Sequence, residues 1–358
     1  MLFTPGPTEI EPQIRDIASM PMPYFRGHEY TSMIQEMTDD AKYLLQTDST
    51  PLTITASGSG AMEMAIVNLT NPNDRVVVLN CGTFGKKWVD MCHAFGVAVK
   101  EIPVELGKLP DLSQVADSLT EDCTALFVTA HETSTGLLND IKAIGEVTRR
   151  KNKLLIVDAV SSVGADQLLT DAWQCDCVLV SSQKALACMP GISFVVFSER
   201  AWGSMSRVQR HKYYFDAHEY RKNISRGMLP YTPAINVTCQ LSARLKMIKA
   251  MGLAAYIDGH RQKAATFRKA ILSTGMFSSF FAERQSNALT SISLPHYCSM
   301  TGIIAYIREN YQWQVAPNPT HDEHYLRVSH MGNITGNDLT LLAEKIAEAA
   351  NYCKNHNK

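Results

Sequence analysis

Three stretches carry side chains suited to catalysis. Lys184 follows the apolar run DCVLVSSQ, inside SSQKALACMPG. An amine among small and apolar neighbours at the mouth of a sheet is partly desolvated. That lowers its pKa, raises its neutral fraction and suits it to bond a carbonyl carbon. A solvated loop lysine is the plainer alternative and the commoner fate of the residue type. Asp158 ends the run LLIVD. A carboxylate leaving a buried strand needs a cation or a donor. A bound cationic ring nitrogen would serve, and so would the turn that carries Ser161 and Ser162. The third stretch is SGSGAME, 57–63, between a strand-like run and a helix-like one. Its small residues let backbone approach a ligand, and the free N–H groups of a helix start attract anions. A tight turn with Ser57 or Ser59 as helix cap reads the same way. The spacing is that of neither a dinucleotide fingerprint nor a phosphate loop.

Taken singly, each stretch is ambiguous. Together they supply an anion cradle, an acid and an amine at the ends of successive runs. That is the set required by pyridoxal 5′-phosphate: a phosphate site, an Asp for the ring nitrogen and a Lys for the aldehyde.

The elements that must hold these residues are legible as alternation. Strand-like runs occupy 52–56, 75–80, 97–102, 124–130, 153–160, 176–182 and 192–198. Several are nearly continuous apolar runs, as expected for strands buried on both faces. Helix-length segments at 61–70, 84–95, 111–119 and 141–151 lie between them. Such alternation predicts a mostly parallel sheet with helices on both faces and ligands at the carboxyl ends of its strands. Residues 1–30 read as an irregular arm, and 205–235 is polar, aromatic and irregular. A long helix from about 234 to 251 follows. Helices at 260–272, 300–309 and 337–352 and strands at 289–294 and 324–328 then make a smaller α+β unit. The expected division is an arm at 1–15, a large domain at 16–235 and a small domain at 236–358.

Composition narrows the class. The 358 residues carry a net charge of −1, which gives no global electrostatic reason to bind nucleic acid or an anionic membrane surface. Hydrophobic residues at 45% place the chain among globular proteins. No apolar run reaches the roughly 18 residues of a membrane span, and the N-terminus lacks the apolar core of a targeting segment. Nine cysteines in a chain of this length, with no zinc-finger spacing, predict buried thiols in a reducing, cytoplasmic setting and no metal site. Cys175 and Cys177 form a CxC, and Cys188 lies four residues after Lys184.

The chain resembles the class V aminotransferases, fold-type-I pyridoxal-phosphate enzymes that include alanine–glyoxylate, serine–pyruvate and 2-aminoethylphosphonate–pyruvate transaminases. The resemblance rests on FTPGPT (3–8), PYFRGHEY (23–30), SGSGAMEMA (57–65), NCGTFGKKW (80–88), HETSTG (131–136), LLIVDAVSSVGA (154–165), SSQKAL (181–186), PYTPAIN (230–236) and LRVSHMGNIT (326–335), in that order. It implies an α/β fold-type-I transferase, with a mostly parallel sheet sandwiched by helices and a smaller α+β C-terminal domain. It also implies a homodimer with active sites at the interface.

The resemblance gives each residue a role. Lys184 would form the Schiff base with pyridoxal 5′-phosphate and then move the proton between substrate and cofactor. Asp158 would pair with the pyridine nitrogen. Phe84 would stack on the ring, where relatives often carry Trp. Thr133 would bond near the 3′-oxygen. Ser59, Gly60 and Ala61 would hold the phosphate, with Gln183 beside the lysine. Thr232 would reach the phosphate of the neighbouring subunit. Arg327 would grip the substrate carboxylate, Pro5 and Gly6 would line the mouth, and Arg26 would reach substrate or fix its own loop. The expected reaction moves an amino group from a small amino acid or amine to a pyruvate- or glyoxylate-like acceptor. A cysteine desulfurase of the same fold is one alternative. Those enzymes typically have His where this chain has Gln183, and Cys298 and Cys353 are the only thiols in the C-terminal third. A non-catalytic paralogue serving as an assembly subunit is the other.

Overall fold

The computed structural model describes residues 1–356. Seven strands form the main sheet, in the spatial order Leu52–Ile54, Ser193–Phe197, Cys177–Ser181, Leu154–Asp158, Cys123–Thr129, Arg75–Asn80 and Ala98–Pro103. From Cys177–Ser181 to Ala98–Pro103 every pairing is parallel. Ser193–Phe197 runs antiparallel to both of its neighbours. Two reversals restore the direction, so Leu52–Ile54 ends at the same edge as the parallel strands. The carboxyl ends of six of the seven strands therefore lie at one edge of the sheet.

The central strands are buried throughout because helices cover both faces. Leu154–Asp158, Cys177–Ser181 and Ser193–Phe197 are buried at every position. The crossover helices are Gly58–Leu69, Thr83–Ala94, Leu112–Ser118 and Ile141–Arg150, each within a few residues of the segment expected from the sequence.

A helix spans His28–Leu45, beginning inside the stretch that reads as an irregular arm. Its buried Tyr30, Ile34, Met37, Ala41 and Leu45 recur at intervals of three or four, the spacing of one helix face. It packs against Ile235–Met251. Leu241, Leu245 and Ile248 of that second helix are buried in the larger core. The expected boundary at 236 thus assigns to the small unit a helix whose apolar face joins the large one. Residues 217–224, inside the stretch read as irregular, form a short helix capped by Asp216.

The smaller core lies among helices Leu253–Ser273, Met300–Tyr311 and Gly336–His356 and the antiparallel pair Leu289–Ser293 and Tyr325–Ser329. Phe3 from the N-terminal arm is fully buried in it. The arm is tied there by Phe3 N–H to the Gln314 carbonyl (2.8 Å) and by Ser329 N–H to the Phe3 carbonyl (3.1 Å). Among the described residues no helix is long and apolar enough to cross a membrane.

Candidate active site

Lys184 sits three residues past strand Cys177–Ser181, under the N-terminal arm. Its Nζ donates to the Pro5 carbonyl at 2.6 Å, and Thr8 Oγ1 donates to its own carbonyl at 3.2 Å. Burial pushes the amine down to about 8, against the opposing pull of Asp158; Arg327 and Lys87 lower it further. This is the partly desolvated lysine that a reaction with a carbonyl carbon needs.

Asp158 ends the neighbouring strand and is buried. It accepts the Val160 N–H at 3.0 Å. Burial raises its pKa to about 6, and Glu132 adds to the rise while the Val160 bond, Lys184 and Lys87 oppose it. A buried carboxylate with so little compensation is suited to a cationic partner.

The segment His131–Gly136 follows strand Cys123–Thr129 and builds the wall between Asp158 and Arg327. The His131 Nδ1 lies 2.9 Å from the Ser161 carbonyl. A carbonyl only accepts, so Nδ1 carries the proton. Nε2 is buried without a partner, and burial holds the ring neutral by pushing its pKa to about 4. Thr133 Oγ1 donates to Ser161 Oγ at 2.8 Å. Glu132 is fully buried and accepts from the backbone N–H groups of Phe84 (3.1 Å), Gly85 (3.0 Å) and Ser134 (3.1 Å), and from the Ser134 hydroxyl. Burial raises its pKa. Its carboxylate meets the N-terminus of Thr83–Ala94, where the helix dipole favours an anion. That fixes Phe84 at the edge of the cleft. Gly82 opens this helix with φ +151°, and a Cβ there would lie 2.3 Å from Ser134 Oγ, so the approach needs glycine.

The SGSG segment starts helix Gly58–Leu69, and Ser57 makes no side-chain capping bond. Its first N–H groups are therefore left for a ligand. Gly58 and Ser59 line the cleft, with Phe84, Thr133, Asp158, Gln183 and Lys184 around them. Gly60 packs against Ala56 and Phe215 instead, and the Ala61 N–H already donates to the Ser57 carbonyl at 3.1 Å. Gln183 Oε1 is buried and unpartnered.

Arg327, on Tyr325–Ser329, is only 5% exposed. Its Nη1 donates to the Thr133 carbonyl at 2.6 Å and its Nη2 to the Pro317 carbonyl, while Nε has no partner. Burial lowers its pKa to about 10. A buried guanidinium held only by carbonyls is ready for an anion.

Two of the expected residues lie outside this cleft, one of them, Thr232, expected to serve the neighbouring subunit. Arg26 is exposed and stands over the Phe25 ring at 5.0 Å. Thr232 is exposed on its own chain, outside the cleft. Cys188 is buried, its thiol raised to about 12. Among the described residues no group of three or more His, Cys, Asp or Glu could hold a metal ion.

Sequence reasoning missed His131, Glu132 and Lys87. The first two lie inside HETSTG, where the resemblance assigns a role to Thr133 alone. Lys87 is three residues after Phe84, a spacing that puts both on one helix face.

Pyridoxal phosphate fits this cleft. The residues present an under-compensated buried acid, a partly desolvated amine, an uncapped helix start, and the orphaned His131 Nε2 and Gln183 Oε1. Residues 22–316 match the family model described as aminotransferase class-V. The chain is 34% identical to the soluble hydrogenase 42 kDa subunit of Anabaena cylindrica, covering 95% of this chain and 90% of that one. It is 31% identical to a serine–glyoxylate aminotransferase of Arabidopsis thaliana, covering 95% and 87%. Its fold superposes on the crystal structure of an alanine–glyoxylate aminotransferase from Nostoc sp. with TM-score 0.91 and 26% identity, covering 97% and 94%.

Proposed function

The chain belongs to the class-V aminotransferase family and is a pyridoxal-phosphate-dependent transaminase; on that premise we propose which of its residues carry the reaction and on what substrates. When bound, pyridoxal phosphate supplies an aldehyde that condenses with amines and a ring that takes up the electron pair left at a deprotonated carbon.

Lys184 is the amine that would hold the aldehyde when the cofactor is bound. Its Nζ would carry the proton between the substrate Cα and the cofactor carbon C4′. Asp158, ionised by its cationic partner, keeps the ring nitrogen protonated. Phe84 would cover one ring face, and Thr133 would turn its hydroxyl hydrogen from Ser161 Oγ toward the 3′-oxygen. Ser59 and the start of Gly58–Leu69 hold the phosphate, with Gly60 and Ala61 shaping the turn behind it, and Gln183 fixes the lysine's flank. Arg327 grips a substrate carboxylate. Pro5 and Gly6 close the mouth against water.

The single observation that carries this reading is that Lys184, half-buried, and Asp158, buried, share one cleft with an uncapped helix start. Borohydride treatment of the purified enzyme followed by peptide mapping tests it. The cofactor should be fixed to the peptide containing Lys184, and a label elsewhere overturns the assignment. A chain that binds no pyridoxal phosphate would instead favour a subunit role such as the name of the Anabaena protein describes.

For substrates, the names of the serine–glyoxylate and alanine–glyoxylate relatives support a small amino acid as donor and glyoxylate as acceptor; pyruvate is the other acceptor of the reading. A donor panel read by the change from pyridoxal to pyridoxamine absorbance identifies the pair. Sulfide release from cysteine without amino transfer would favour the desulfurase alternative.

A cytoplasmic homodimer completes the reading, with Thr232 serving the partner's phosphate. The exposure of Thr232 on its own chain supports this, as do the exposed Tyr213 and Tyr24 (80% and 70%). A strictly monomeric enzyme with full activity rules it out.

A further inference from the structure

We propose that Lys87 is the cation of the cofactor-phosphate subsite and makes the enzyme select the phosphorylated form of its cofactor. The proposal rests on the reading above that the cleft binds pyridoxal phosphate with its phosphate at Ser57–Ser59.

Two adjacent lysines on helix Thr83–Ala94 part company. Lys86 points to solvent and pairs with Asp90 one turn on. Lys87 turns inward. Its Nζ donates to Ser59 Oγ at 3.1 Å and lies 5.5 Å from the centroid of the Phe84 ring. Among the described residues it belongs to no ion pair. An ammonium group that meets only a neutral hydroxyl and an aromatic face keeps most of its capacity for an anion.

The phosphate needs such a partner. It carries about −1.5 to −2 charges near neutral pH, whereas a helix start offers roughly half a positive charge. Lysines 87 and 184 are the two cations lining the cleft. Lys184 is committed to the aldehyde, and the Arg327 fork reaches the Thr133 and Pro317 carbonyls on the far wall. Lys87 is the cation left at the cradle. Its charge also reaches the opposite end of the cleft, where it lowers the pKa of both Asp158 and Lys184. Phe84 and Lys87 thus act from one face of one helix, the ring against the pyridine and the ammonium at the phosphate, and Glu132 fixes the register of both.

The test compares pyridoxal phosphate with pyridoxal, which lacks the phosphate. Apo-enzyme, K87M and K87R are titrated with each compound by visible absorbance. K87M should bind pyridoxal phosphate at least about tenfold more weakly and pyridoxal almost unchanged, while K87R keeps the wild-type preference. The ³¹P resonance of bound cofactor should stay flat in wild type across the second phosphate ionisation near pH ~6 and titrate in K87M. Thermal melts of the apo-proteins check that the variants fold. Equal weakening for both compounds, or none for either, overturns the proposal. A wild-type protein that fails to bind pyridoxal phosphate at Lys184 would instead overturn the cofactor-site reading on which it rests.

Discussion

Lys184 donates its Nζ hydrogen to the carbonyl of Pro5 at 2.6 Å, across 179 residues of chain. The arm therefore forms part of the reacting lysine's surroundings, not merely a cover for the small core. Gly6, next in the chain, has φ +122°, and a Cβ there would lie 2.7 Å from Lys184 Cδ. Gly6→Ala should strain the arm by about 1–3 kcal/mol and displace the amine. We expect turnover to fall roughly tenfold or more, with less cofactor trapped by borohydride. Unchanged values of both would mean that the arm does not position Lys184.

Cofactor loading should depend on pH with a definite sign. Only the neutral amine attacks an aldehyde. With its pKa lowered to about 8, Lys184 is neutral in about one tenth of molecules at pH ~7, against about one in several thousand for an ordinary lysine. Raising the pH removes the proton, so the rate at which apo-enzyme takes up pyridoxal phosphate should climb until about 8 and then level off. Stopped-flow absorbance reads this directly. A climb that continues well above that value would mean the amine is not desolvated.

Arg327→Lys keeps a charge but loses the planar fork that bonds the Thr133 and Pro317 carbonyls while meeting a carboxylate. KM for amino-acid donors should rise about 10- to 100-fold, with a smaller change in kcat. A donor without a carboxylate should lose little. Equal losses for both donors would assign Arg327 a structural role only.

Glu132→Gln replaces an all-acceptor group by one that points an N–H₂ at backbone N–H donors of Phe84, Gly85 or Ser134. Leaving such donors unsatisfied in a buried place should destabilise the fold by about 1–3 kcal/mol. The displaced Phe84 should also weaken cofactor binding. Denaturant unfolding measures the first effect and cofactor titration the second. A stable variant with normal cofactor affinity would remove Glu132 as the anchor of that helix.

Lys184→Ala should abolish transamination while the cofactor can still occupy the cleft through the phosphate and ring contacts. Near-normal turnover would exclude Lys184 as the proton carrier, whatever the residual cofactor binding.

Sheet and lysine were legible in the sequence for a local reason. A strand buried on both faces must be apolar along its length, so LLIVD and DCVLVSSQ announce themselves, and the polar residues that end them mark the carboxyl edge of the sheet. Asp158 and Lys184 are found by that rule without knowing what lies opposite. The helix at His28–Leu45 is equally present in the spacing of its apolar residues, although it adjoins an arm rich in proline and aromatic residues that has no such period. Other features were decided only by the tertiary structure. The Pro5–Lys184 bond, the Arg327–Thr133 contact across 194 residues and the inward turn of Lys87 toward Ser59 join segments whose own sequences say nothing of one another. Burial fixed the chemistry in the same way. It moved the pKa of Lys184 down and that of Asp158 up, because desolvation depends on every neighbour packed around a group and not on the residues beside it in the chain.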